Sequence, residues 1–194
     1  MNEAALMNAR TVQAWVELKG EDPEAVSALE VARARLVAGR ELSTLRRVRL
    51  IELQGVLPEA GALSALLDRS TRFYNPNKER CTVCSDPGEQ PPVDAGEEVV
   101  LVTERGAERR AAAERWWHHE TGTHITVREG VAWVLGFAPG TEAAAAVAAL
   151  TWVRAREHGL LCNPHSQVAR IASGAPPRPW MSDGVGQVAG KGAS

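Results

Sequence analysis

The chain reads as an α+β protein in which a helical first part leads into an antiparallel sheet domain, and three observations carry that reading. Before residue 75, apolar side chains recur at helical spacing. Between residues 76 and 96, prolines, glycines and acidic groups interrupt any period. From residue 97 onward, short runs rich in valine and threonine alternate with long alanine-rich ones.

The helical spacing of residues 1–75 runs through Ala5, Ala9, Val12 and Val16, then Val26, Leu29, Ala32 and Leu36, then Leu63, Leu66 and Leu67. Asp22 followed by Pro23 predicts a capped helix start, and Gly20, Gly39 and Gly55 fall where helices would stop. The stretch "LSTLRRVRLIELQG" is apolar on too many sides for one stripe and is also read as helix. Asn-Pro-Asn in "FYNPNKER" ends this region, and residues 76–96 form a linker in which "CTVC" is a short strand or a turn. Beyond it come strand "EEVVLVT", helix "ERGAERRAAAERWWHHE", strand "THITVR", a tight turn at Glu129-Gly130, strand "VAWVLGF", helix "TEAAAAVAALTWVRAREH" and a short apolar "LLC". With right-handed crossovers this order closes into a sheet with both helices on one face. The order β-α-β-β-α-β resembles the ferredoxin-like fold, which is therefore expected over residues 97–172. The Gly-, Pro- and Ser-rich tail, residues 173–194, is expected to be disordered, with Trp180 its one candidate anchor.

Composition narrows the partners. Twenty-two basic and 24 acidic side chains give a formal charge of -2, which provides no global field for phosphate backbones or anionic lipid. The polar-interrupted start lacks the order of a signal peptide and no stretch suits a bilayer, so a cytoplasmic protein without membrane association is expected. Three cysteines, an odd number, suit a reducing compartment better than a disulfide framework.

A two-residue turn at Glu129-Gly130 would place His124, Thr126, Arg128, Val131, Trp133 and Leu135 together on the sheet face that such domains leave open. That face could stack nucleobases on its aromatic, but "VAWVLGF" lacks the basic residue and paired aromatics of RNA-binding sheets. Its apolar members instead call for a cover, either the helical region or another protein chain. The alanine-rich helix is apolar on nearly all sides and calls for a second layer as well.

Other clusters yield less. Arg46, Arg47 and Arg49 form the densest basic group and are read first as a helix face with ion pairs, second as a nucleic-acid contact. In "ERWWHHETGTH", His118 and His119 diverge on a helix, while Glu114 and His118 share a face as an exposed pair or a weak ion site. Cys81, Cys84, Cys162 and His165 have the ligand types and number for structural zinc, provided "CTVC" is a turn; in a strand the two thiols would project from opposite faces. Free thiols without a cofactor are the preferred reading. Nucleotide-binding and hydrolase motifs are missing, which leaves no basis for naming a reaction. The expected function is a non-enzymatic interaction module or accessory subunit that binds a protein partner or its own copy through Trp133, His124 and Arg128. A nucleic-acid binder and a zinc-supported module or enzyme are the alternatives.

Overall fold

The computed structural model of the chain describes residues 9–86, 88–155 and 158–181. Ala5 and the tail from residue 182 lie outside this set. One six-stranded sheet organises the molecule, with β1 (Ala9–Leu18), β2 (Leu42–Val56), β3 (Glu79–Cys84), β4 (Glu98–Glu104), β5 (Ile125–Phe137) and β6 (Gln167–Ser173) in the order β3-β1-β2-β5-β4-β6. Every neighbouring pair is antiparallel. The helices are α1 (Pro23–Arg35), α2 (Ala60–Asp68), α3 (Ala111–Thr121) and α4 (Ala143–Thr151), with a 3-10 turn at Ala38–Glu41.

This architecture corrects the expected fold twice. Residues 1–75 do not form an all-helical region, because β1 and β2 lie within them. Val12, Ala14 and Val16 point to one side of β1 while Gln13 and Trp15 point to the other, and all five are buried. A strand covered on both faces shows apolar residues at every spacing, so helical periodicity finds matches in it. The same holds for β2, where Leu45, Ile51 and Leu53 face one way and Val48 and Leu50 the other.

The second correction concerns Glu129 and Gly130. They make no turn: β5 continues through them, pairing Glu129 with Ile51 and Gly130 with Leu50. A Cβ on Gly130 would lie 2.8 Å from Leu101 Cδ1 and 2.8 Å from Thr103 Cγ2, so the glycine admits β4 to close contact. With one long strand in place of a hairpin, and two more strands from the first part of the chain, the ferredoxin-like β-α-β-β-α-β arrangement does not form. The last strand is residues 167–173 and not "LLC", whose Leu161 and Cys162 are buried beneath α4.

All four helices pack on one face of the sheet, in two clusters. The first gathers Val12, Ile51, Leu53 and Val127 under α2 (Leu63, Leu67) and α3 (Ala113, Trp117), with Phe73 set edge-on to Trp116 and Trp117. The second gathers Leu45, Val100, Val102 and Leu135 under α1 (Ala32) and α4 (Val147, Leu150). A band of ion pairs separates them: Arg47 with Asp22 and Glu24, Arg49 with Glu79 and Glu129, and Arg110 with Glu129.

Among the described residues, the opposite face carries no helix. Trp15, Leu50, Val99, Leu101 and Val134 are buried there by Val93 of the β3–β4 connection and by residues 174–181, which cross the sheet as a strap. Trp180 and Met181 are 3% and 2% exposed. The strap is held by a buried carboxylate: Glu52 accepts hydrogen bonds from the Trp180 N–H (2.5 Å), the Met181 N–H (2.7 Å) and Gln13 Nε2 (2.8 Å). Arg178 adds bonds to the carbonyls of Cys84, Asp86 and Glu89. Of the tail expected to be disordered, residues 173–181 are ordered, and Trp180, its candidate anchor, packs on its own chain.

Candidate functional site

The site candidates named from the sequence separate on this sheet. Because β5 is continuous, its even and odd residues face opposite ways. Trp133 and Leu135 join Val131 on the helix-covered face, where Leu135 is fully buried in the second cluster and Trp133 packs half-buried against it. Thr126 and Arg128 point to the other side, and His124 lies just before the strand. The six-residue platform is not assembled.

His124, Thr126 and Arg128 instead gather with residues of α3 and β2. Their convergence starts at the end of α3. Trp117 is buried in the first cluster and its Nε1 donates to Thr123 Oγ1 (3.0 Å), while Thr121 Oγ1 donates to the Trp117 carbonyl (2.9 Å). Gly122 adopts the left-handed conformation (φ 71°) that closes a helix C-terminus, and its N–H donates to the His118 carbonyl (2.9 Å). The chain therefore reverses within "ETGTH", and His124 comes back onto His118 with ring centroids 3.9 Å apart and planes inclined by 13°.

Glu114, one turn before His118, reaches the edge of β5 where β4 has ended. Its Oε1 accepts the Val127 N–H (2.9 Å) and Arg109 Nε donates to the same carboxylate at 2.8 and 3.1 Å. Burial opposes charge on Glu114, but the bonds from Arg109 and Val127, together with the nearby guanidinium of Arg128, outweigh it and hold the carboxyl below its ordinary range. Arg128 donates to Gln54 Oε1 at the end of β2 (3.3 Å). One side of the 109–118 segment, with Gln54 and His124–Thr126, lines an open pocket of about 480 Å³. Arg109, Arg115, His118 and His124 line it with the carboxylate of Glu114, and the charge of Arg128 acts on that carboxylate from nearby. Such a pocket can hold an anionic group by hydrogen bonds and charge.

Sequence reasoning had found only part of this set. Glu114 and His118 were legible as neighbours at i, i+4, but Arg109, Arg115 and Gln54 gave no signal beyond Arg115 standing three residues before His118. What the sequence concealed was the reversal at Gly122, which joins the helix to the strand start.

The arginine group disperses. Arg46 projects to the strap side and bonds Glu97 and the Pro92 carbonyl at 2.8 Å each, whereas Arg47 and Arg49 project to the helix side and are paired in the central band. They belong to a strand, so neighbours in sequence cannot share a face.

The zinc set is likewise not brought together. "CTVC" is the edge strand β3, and its thiols point to opposite faces: Cys81 packs on the first cluster, Cys84 lies in the strap-side cluster, and Cys162 is buried in the second. His165 is exposed in the turn before β6. Among the described residues, no three His, Cys, Asp or Glu side chains are placed to share a metal ion. Burial pushes the Cys81 thiol up to about 12 and raises those of Cys84 and Cys162 as well. The alanine-rich α4 buries Ala146, Val147 and Leu150 and exposes Ala144, Ala145, Ala148 and Ala149, so no second layer covers it among the described residues. No helix among the described residues is long and apolar enough to cross a membrane. Compared with protein-family models, with curated proteins and with solved structures, the chain matches none.

Proposed function

We propose that this protein is a non-enzymatic interaction module that docks an acidic segment of a partner protein in the pocket between α3 and the start of β5. The observation that carries this reading is the local charge: Arg109 and Arg115 line the pocket, and Arg128 stands near its one carboxylate, which is internally bonded, in a chain whose formal net charge is -2. Cationic side chains gathered at a pocket favour an anionic partner group and steer its approach. The backbone that presents these groups is held in place, because the Trp117–Thr123 bond and the Thr121–Thr123 bond fix the helix end and the turn.

The reading is tested by titrating a fluorescent glutamate-rich decapeptide into the protein and into a variant carrying Arg109→Gln, Arg115→Gln and Arg128→Gln. Saturable binding to the wild type is expected, weakened by about tenfold or more in the variant and by added salt. A single-stranded oligonucleotide binding the same pocket more tightly than the peptide would sink the protein-partner reading in favour of nucleic acid.

A further inference from the structure

The stacked histidines have no role in holding the fold: both are exposed, and the reversal that brings them together is secured by Trp117, Thr121, Gly122 and Thr123. Their position makes them responsive to what enters the pocket. The charged groups around them are Arg109, Glu114 and Arg115 from α3 and its lead-in, and Arg128 from β5; β2 contributes the neutral Gln54. On the far side of α3, His119 lies by Glu120 (3.5 Å). The two rings lie in parallel contact, centroids 3.9 Å apart, at the rim of the pocket.

A carboxylate beside the stack attracts a proton to it, and the imidazolium then becomes a further donor to the anion. We propose that the pocket takes up a proton as it binds its anionic group, with the His118–His124 stack as the acceptor, so that docking tightens as pH falls. This rests on the interaction reading above. The sign follows from linkage: the bound state carries more protons than the free state, so acidification favours binding. The change falls between about pH 8 and pH 6, the span in which imidazole side chains titrate. Glutamate in the probe keeps its charge throughout that span, with an ordinary value near about 4.3.

The experiment is calorimetric titration of the same glutamate-rich decapeptide into the full chain at pH 6, 7 and 8, in two buffers of different ionisation heat. The expected result is affinity rising about three- to tenfold from pH 8 to pH 6, with net proton uptake near pH 7. The double variant His118→Gln and His124→Gln is expected to lose the pH slope, whatever its affinity at pH 8. His119→Gln, on the same helix but outside the stack, is expected to keep it. Peptide binding with equal affinity at all three pH values and no proton uptake overturns the proton coupling and leaves the interaction reading standing. Failure of the peptide to bind at any pH overturns that reading and the coupling with it. Loss of the slope in His119→Gln overturns the assignment to the stack, as does a double variant that retains the slope.

Discussion

The first three strands with their helices, and the last three with theirs, are two versions of one unit. Each runs strand, helix, long strand, helix, strand, and the sheet order β3-β1-β2-β5-β4-β6 joins them about an approximate two-fold passing near Arg49 and Val131, which face one another at the midpoints of β2 and β5. Counting from that pair, Arg47 corresponds to Glu129, and the N-cap of α1, Asp22, to the N-cap of α3, Arg110. The charges are exchanged: acid at the cap and base on the strand in the first unit, base at the cap and acid on the strand in the second. Each unit keeps an ion pair, but only Asp22 can also accept the Glu24 and Ala25 N–H groups, so α1 is capped and α3 has no side-chain cap. The two clusters diverge in a similar way. One is filled by Phe73 and Trp117; the other uses Ala32 and Gly39 to bring backbones close, a Cβ on Gly39 lying 2.1 Å from the Ala32 carbonyl oxygen. On the strap side, Glu52 in β2 corresponds to Val134 in β5, and the strap crosses to the carboxylate. An arrangement of backbone can therefore be kept while charge, volume and polarity are assigned anew.

Substitutions at corresponding places should expose these differences, read as shifts in the urea unfolding midpoint. Trp117→Ala should be the most damaging, costing about 3–5 kcal/mol through the cavity left beside Phe73; a cost near 1 would mean the clusters are packed alike. Glu52→Ala should cost about 2–4 kcal/mol, because the buried N–H groups of Trp180 and Met181 lose their acceptor. The corresponding Val134→Ala should cost less and leave the strap docked, which hydrogen exchange of the Trp180 and Met181 N–H groups would report. Gly39→Ala should cost about 1–3 kcal/mol by forcing α1 away from the following turn. Smallest is the contrast at the caps: Asp22→Ala should cost about 1 kcal/mol, and Arg110→Ala, which removes a partly exposed ion pair and no cap, less than about 0.5.

How far the sequence disclosed this fold depended on whether each element had one free side. The helix after Asp22-Pro23, α2 and α3 were legible because caps or a polar stripe marked them. β4 was legible as a valine-rich run. β1 and β2 were not, since burial on both faces hides alternation, although Arg47-Val48-Arg49-Leu50 alternates for four residues. Glu129-Gly130 has the composition of a hairpin turn, and only the approach of Leu101 and Thr103 shows why glycine is there. Within the candidate site, His124, Thr126 and Arg128 were named for a face that does not exist. They meet again through the turn at Gly122, a relation between a helix end and a strand that no spacing rule reaches.

The docking of the strap also bears on how the protein is made. Its contacts join residues far apart in the chain: Glu52 bonds Trp180 across 128 positions and Gln13 bonds the Pro177 carbonyl across 164. Contacts of such long range form late, because their closure entropy is met only when the rest is in place. During synthesis the apolar side of β1 and β2, Trp15 among it, therefore stays bare until residue 181 has left the ribosome. That interval is when a nascent chain is most prone to self-association and most in need of a chaperone.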